Sequence, residues 1–147
     1  MKKLIALVAV AAVVLSAPAA VGAGNRSKYK GAFEVTGTMS FVLKETRTGR
    51  KVVRYSWEAF PLRCEGKLAP TSSGFLEFSQ QVNRGNFRAE AVDNQTNPGA
   101  RLSLRGELRT RGRAEGTLRI RGDRVPLDGG GRGDCASGTV RWTAEKV

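Results

Sequence analysis

From Gly31 to Leu43 the odd positions read Gly31, Phe33, Val35, Gly37, Met39, Phe41 and Leu43, while the even ones are mostly polar, among them Glu34, Thr36, Thr38, Ser40 and Lys44. Side chains of an extended chain point alternately to opposite faces, so a period of two held over this length predicts a half-buried β-strand. A polar segment, Glu45 to Lys51, then leads into a second alternation, with Val53, Tyr55 and Trp57 set against Arg54, Ser56 and Glu58. That pair of runs predicts a hairpin. Pro61 interrupts it, and the apolar set moves to Phe60, Leu62 and Cys64, as a bulge or kink would require.

The same grammar continues downstream. Turn-rich segments at Ala69 to Gly74 and Asp93 to Gly99 flank apolar runs at Phe75 to Phe78, Val82 and Phe87 to Val92, with Asn83-Arg84-Gly85-Asn86 as a turn inside that stretch. Leu102, Leu104 and Leu108 share a parity, as do Leu118 and Ile120 after a turn near Gly112, which predicts a second hairpin. A loop from Asp128 to Asp134 precedes a last strand, Thr139 to Ala144. Beyond the first two dozen residues, no window spaces its apolar residues by threes and fours, and no fixed repeat period points to a propeller or solenoid. The expected fold is all-β, an antiparallel β-sandwich of jelly-roll-like or barrel-like form.

The opening residues follow a different rule. Lys2 and Lys3 precede an apolar run from Leu4 to Leu15 and a small-residue exit between Ala19 and Ala23, the pattern of a secretory signal peptide. The run is shorter than the roughly twenty residues that span a bilayer, so no membrane span is expected. Residues 24–147 then form one expected domain, outside the cytoplasm, with 23 basic and 13 acidic groups and a formal charge near +10. A basic balance favours encounter with anionic partners such as envelope polymers or acidic glycans, although it also serves solubility alone. Cys64 and Cys135 are the two cysteines, and an even pair in an exported chain reads as a disulfide. With no histidine in the chain, they cannot complete the usual four-ligand zinc shell without carboxylates, so no metal or other cofactor is expected.

Arg101, Arg105, Arg109, Arg119 and Arg121 alternate with the apolar positions of the second hairpin. Five guanidinium groups on one outward face could clamp phosphate, sulfate or carboxylate, or could be an ordinary solvated face. Trp57 and Trp142 fall on apolar faces and are expected in the core; only if exposed would they offer stacking platforms for sugar rings. Aromatics do not interleave with the arginines, which argues against nucleic acid as the partner. The absence of histidine removes the commonest general base, leaving a glutamate pair for a glycan-active enzyme as the catalytic alternative. Arg-Gly-Asp occurs twice, at Arg121 to Asp123 and Arg132 to Asp134, beside expected loops.

Three segments carry a resemblance: Leu62-Arg63-Cys64-Glu65-Gly66, Asn83-Arg84-Gly85-Asn86-Phe87, and Cys135-Ala136-Ser137-Gly138 running into a last strand that ends Trp142-Thr143-Ala144. Together they resemble small secreted bacterial all-β proteins of uncharacterised function. The resemblance implies an all-β domain with an earlier cysteine suited to pair with the one in the Cys-x-Ser-Gly segment, and it implies no activity. The functional expectation is a secreted, non-catalytic binding or envelope-associated module for an anionic or glycan polymer. A carboxylate-based glycan-active enzyme, or a structural or protein-interaction domain with no small ligand, are the alternatives.

Overall fold

In a computed structural model, which describes residues 24–65, 67–68, 72–93, 100–127 and 129–147, the alternation across Gly31 to Leu43 belongs to two strands and not one. β1 (Arg26–Phe33) and β2 (Thr38–Thr46) are antiparallel, and the Phe33 amide donates to the Gly37 carbonyl at 3.2 Å to close the turn between them. Ala32 lies opposite Thr38, Gly31 opposite Met39 and Tyr29 opposite Phe41. Odd residues therefore meet odd residues, and the turn leaves the period of two intact. Val35, inside the turn, is 61% exposed. The expected leader, 1–23, lies outside the described residues.

β3 (Gly49–Phe60) pairs with β2 as the expected hairpin, with one correction. Val42 lies opposite Arg54 but Leu43 opposite Val52, so Val53 is the extra residue of a bulge and Val52 takes the buried position instead. At the far end Ala59 adopts a left-handed φ of 53°, and Phe60, Leu62 and Cys64 are buried, as the parity change at Pro61 predicts.

β4 (Arg63–Cys64) and β5 (Lys67–Leu68) are short, and β6 (Ser72–Gln81) begins inside the segment expected as a loop. The turn from β6 to β7 (Asn86–Asp93) places Arg84 and Gly85 at φ of 49° and 86°. Two positive-φ residues suit the right-handed twist of a tight hairpin, and glycine takes one at little cost. Asn83 and Asn86 each donate an amide to the other's carbonyl at 2.8 Å. β8 (Ala100–Leu108), a single 3-10 turn at Thr110–Gly112 and β9 (Arg113–Pro126) form the second expected hairpin. β10 (Arg132–Ala136) occupies residues expected as loop, and β11 (Val140–Lys146) is the last strand. Residues 94–99 of the expected Asp93 to Gly99 loop lie outside the described residues.

The eleven strands of the described residues belong to one antiparallel sheet that curls into a half-barrel. Neighbours run β7, β8, β9, β11, β1, β2, β3, β6. β9 holds β8 along one edge; along the other it pairs first with β11 and then with β10, from which β4 and β5 continue. The concave side is filled with aromatics: Tyr29 stacks on Phe41 at 4.5 Å, Phe33 meets Phe60 edge-on at 4.6 Å, and Trp142 lies among Phe41, Tyr55 and Phe87. Gly106 and Gly116 face each other across β8 and β9 beneath this cluster, where a Cβ would strike the ring of Phe87 or of Trp142. No polar or charged residue is buried among the described residues.

Cys64 and Cys135 sit directly opposite each other on β4 and β10 and form the expected disulfide, across a sequence separation of 71. No helix among the described residues is long and apolar enough to cross a membrane.

Candidate anion-binding site

The β8–β9 ladder fixes which side chains stand side by side on the convex face. Arg101 lies opposite Arg121, Ser103 opposite Arg119, Arg105 opposite Thr117, and Glu107 opposite Glu115. Strand β7 extends these rows, placing Val92 beside Arg101, Glu90 beside Ser103 and Arg88 beside Arg105. Arg101, Arg105, Arg119 and Arg121 are all exposed and line one open groove of about 530 Å³. The structure thus brings together four of the five arginines expected to share a face.

Arg109 stands apart. Its Nε and Nη2 donate to Glu115 Oε1 at 3.0 and 2.5 Å, and its Nη1 donates to Glu107 Oε1 at 2.8 Å. The hydrogen bond to Glu115, with the charges of Glu107 and Glu115, holds its guanidinium more firmly protonated than usual. Arg109 is the counter-ion of the acidic row, with Nε, Nη1 and Nη2 each donating to it.

Arg88 joins the groove without having been singled out. The parity of Phe87 to Val92 does mark it as outward, and its partner strand β8 is the next in sequence, six residues beyond the end of β7, with Arg88 opposite Arg105. Arg88 donates to Glu90, and this bond, helped by Arg105, holds the Glu90 carboxyl below the ordinary carboxylate range. Among the described residues, Arg101, Arg119 and Arg121 have no carboxylate within ion-pair distance.

The tryptophans are in the core, as the alternation implied. Trp57 is 7% exposed and donates from Nε1 to Ser72 Oγ at 3.2 Å; Trp142 is 1% exposed. The condition for sugar stacking on them is not met. The exposed large apolar residues lie elsewhere: Phe75 sits under the Arg54 guanidinium at 4.6 Å, and Val92 borders the arginine groove. Neither Arg-Gly-Asp tripeptide is on a loop. The first runs through β9 and the second through β10, with Gly122 and Gly133 both buried.

A second groove, of about 640 Å³, crosses β9, β11 and β1 and is lined by Glu34 and Glu115 with Thr117, Arg141 and Thr143. It brings two of the candidate glutamates into one depression, one of them already engaged by Arg109. The arginine groove can do something simpler: guanidinium groups are permanently charged, planar and rich in donors, so they can neutralise and orient oxyanions without a proton transfer. Comparison of the chain with protein-family models, with curated proteins and with solved structures finds no match.

Proposed function

We propose that the protein is an extracytoplasmic, non-catalytic binding module for an anionic polymer of the cell envelope, held on the convex face of β7, β8 and β9. The observation that carries this reading is the row structure: Arg101, Arg119 and Arg121 share one groove with Arg105, and none of the first three has a carboxylate partner among the described residues. Like charges placed directly opposite on a sheet are destabilising, so such an arrangement is best supported by an external counter-ion. The disulfide suits an oxidising compartment.

Replacing Arg101, Arg105, Arg119 and Arg121 by glutamine should abolish retention on isolated envelope material at low salt. Arg54→Gln, which removes an equal charge paired with Glu77 on a distant part of the sheet, should leave retention unchanged. Equal retention of the fourfold variant and the parent would refute the reading. The glycan-active alternative rests on Glu34 and Glu115 sharing a groove. Release of reducing ends from an envelope polysaccharide, lost in Glu34→Gln, would establish it instead.

A further inference from the structure

The order of charges along the β8–β9 ladder does more than mark a basic surface. Successive outward rows contain Arg101 with Arg121, then Arg119 with Ser103, then Arg105 with Thr117, and the fourth row reverses sign with Glu107 opposite Glu115. Three adjacent rows are therefore basic, and the run stops abruptly. Same-face rows recur every second residue, a rise of ~6.8 Å. Each residue contributes three backbone bonds, so that spacing is the extended length of six bonds. A polymer of phosphates joined through three-carbon units also repeats every six backbone bonds. Its charges then fall in step with the rows of this ladder.

We infer that the groove is built for a linear phosphodiester chain lying along β8 and β9, with three consecutive phosphates seated on Arg101 and Arg121, on Arg119, and on Arg105. The inference rests on the anion-binding reading above and narrows it to a chemical class and a length. A nucleic acid shares the six-bond repeat, but its bases would need surfaces to stack on. The outward positions of these rows on β7, β8 and β9 hold no aromatic residue, and the tryptophans are buried. The favoured ligand is accordingly a phosphodiester without bases, such as a polyol phosphate. Glu90, bound to Arg88, lies beside the middle row and adds one negative charge there. At the far end Glu107 and Glu115, only partly offset by Arg109, repel a fourth phosphate.

The test is titration of the oxidised protein with oligo(glycerol phosphates) of one to six phosphodiesters, beside oligouronates of matching charge and single-stranded oligothymidylates. Affinity should climb through three phosphates and then level, with a salt slope near two to three from release of about three counter-ions. Arg119→Gln should lower that slope by about one while the far-ultraviolet circular dichroism is unchanged. Oligouronates binding as tightly, or affinity rising undiminished to six repeats, would overturn the phosphodiester ladder while leaving anion binding intact. Tighter binding of oligothymidylate would overturn the base-free ligand. No binding of any polyanion would remove both the ladder and the reading beneath it.

Discussion

Arg101 and Arg121 stand directly opposite each other on β8 and β9, two exposed guanidinium side chains pointing the same way, with no carboxylate of the described residues at ion-pair distance from either. A like-charged pair in this position costs a few tenths of a kcal/mol or more. Arg121→Gln should therefore raise the urea midpoint at low ionic strength. Salt screens exposed charges, so the gain should fade near 1 M salt, where the Debye length is ~3 Å. Parallel melts of parent and variant at two ionic strengths measure it; a gain independent of salt would show that repulsion is not the cause.

The Tyr55 hydroxyl is buried with no hydrogen-bond partner among the described residues, and burial pushes its pKa well above 10.0. Because the folded pKa is raised above the unfolded one, the protein's stability is fully present below about pH 10 and falls as pH rises from there toward the folded pKa. Tyr55→Phe removes both the lone hydroxyl and this titration. The variant should be as stable as the parent or firmer by about 1 kcal/mol at neutral pH, and its lead should widen at alkaline pH. Urea unfolding at a series of pH values reads both effects, and a variant losing more than about 1 kcal/mol at neutral pH would mean the hydroxyl is hydrogen-bonded in the folded protein.

Gly116 lies against the indole of Trp142, and Gly106 against the ring of Phe87. Either glycine given a larger side chain must displace an aromatic ring from the centre of the core. Overpacking of this kind costs about 1–3 kcal/mol, so Gly116→Val should be markedly destabilised, with the near-ultraviolet aromatic signal changed. An unchanged midpoint and spectrum would show that the cluster around Trp142 is loose.

The Cys64–Cys135 bridge closes a loop whose ends are 71 residues apart, which on the chain-entropy model restricts the unfolded state by about 4 kcal/mol. Reduction should lower stability by 2–4 kcal/mol. The loss should be local first: Cys135 pairs with Gly122 and Ala136 with Arg121, so amide exchange should rise in β10 and the second half of β9 before it rises in β2 and β3. Uniform acceleration across the sheet would contradict that order.

Much of this fold was legible because burial follows parity. Leu102, Leu104, Leu118 and Ile120 are all buried, and the two cysteines pair. The errors have a common physical origin, in that parity survives some turns and not others. The β1–β2 turn preserves it and hid a strand boundary, whereas the bulge at Val53 shifts it by one and reversed the expected burial of Val52 and Val53. In the candidate site, the hairpin register brought Arg101, Arg119 and Arg121 together as expected, since adjacent strands with a short connection pair predictably. Arg88 arrived from β7, and Arg109 left for two glutamates, because neither the register across the six-residue β7–β8 connection nor side-chain competition leaves a periodic trace.

The curled sheet ends at β6, bonded only to β3, at β7, bonded only to β8, and at the short β5, bonded only to β4, among the described residues. Along β6 no lysine, arginine or proline interrupts Ser72–Gln81, and Phe75 is exposed there. Uncovered backbone of that kind is a template for another chain. Because β6 and β7 differ, β6 of one molecule meeting β7 of the next would be a head-to-tail contact, which closes into a ring or runs on as a filament according to the rotation between copies. The open edge that keeps the sheet a half-barrel is thus also a surface on which a second chain could extend it.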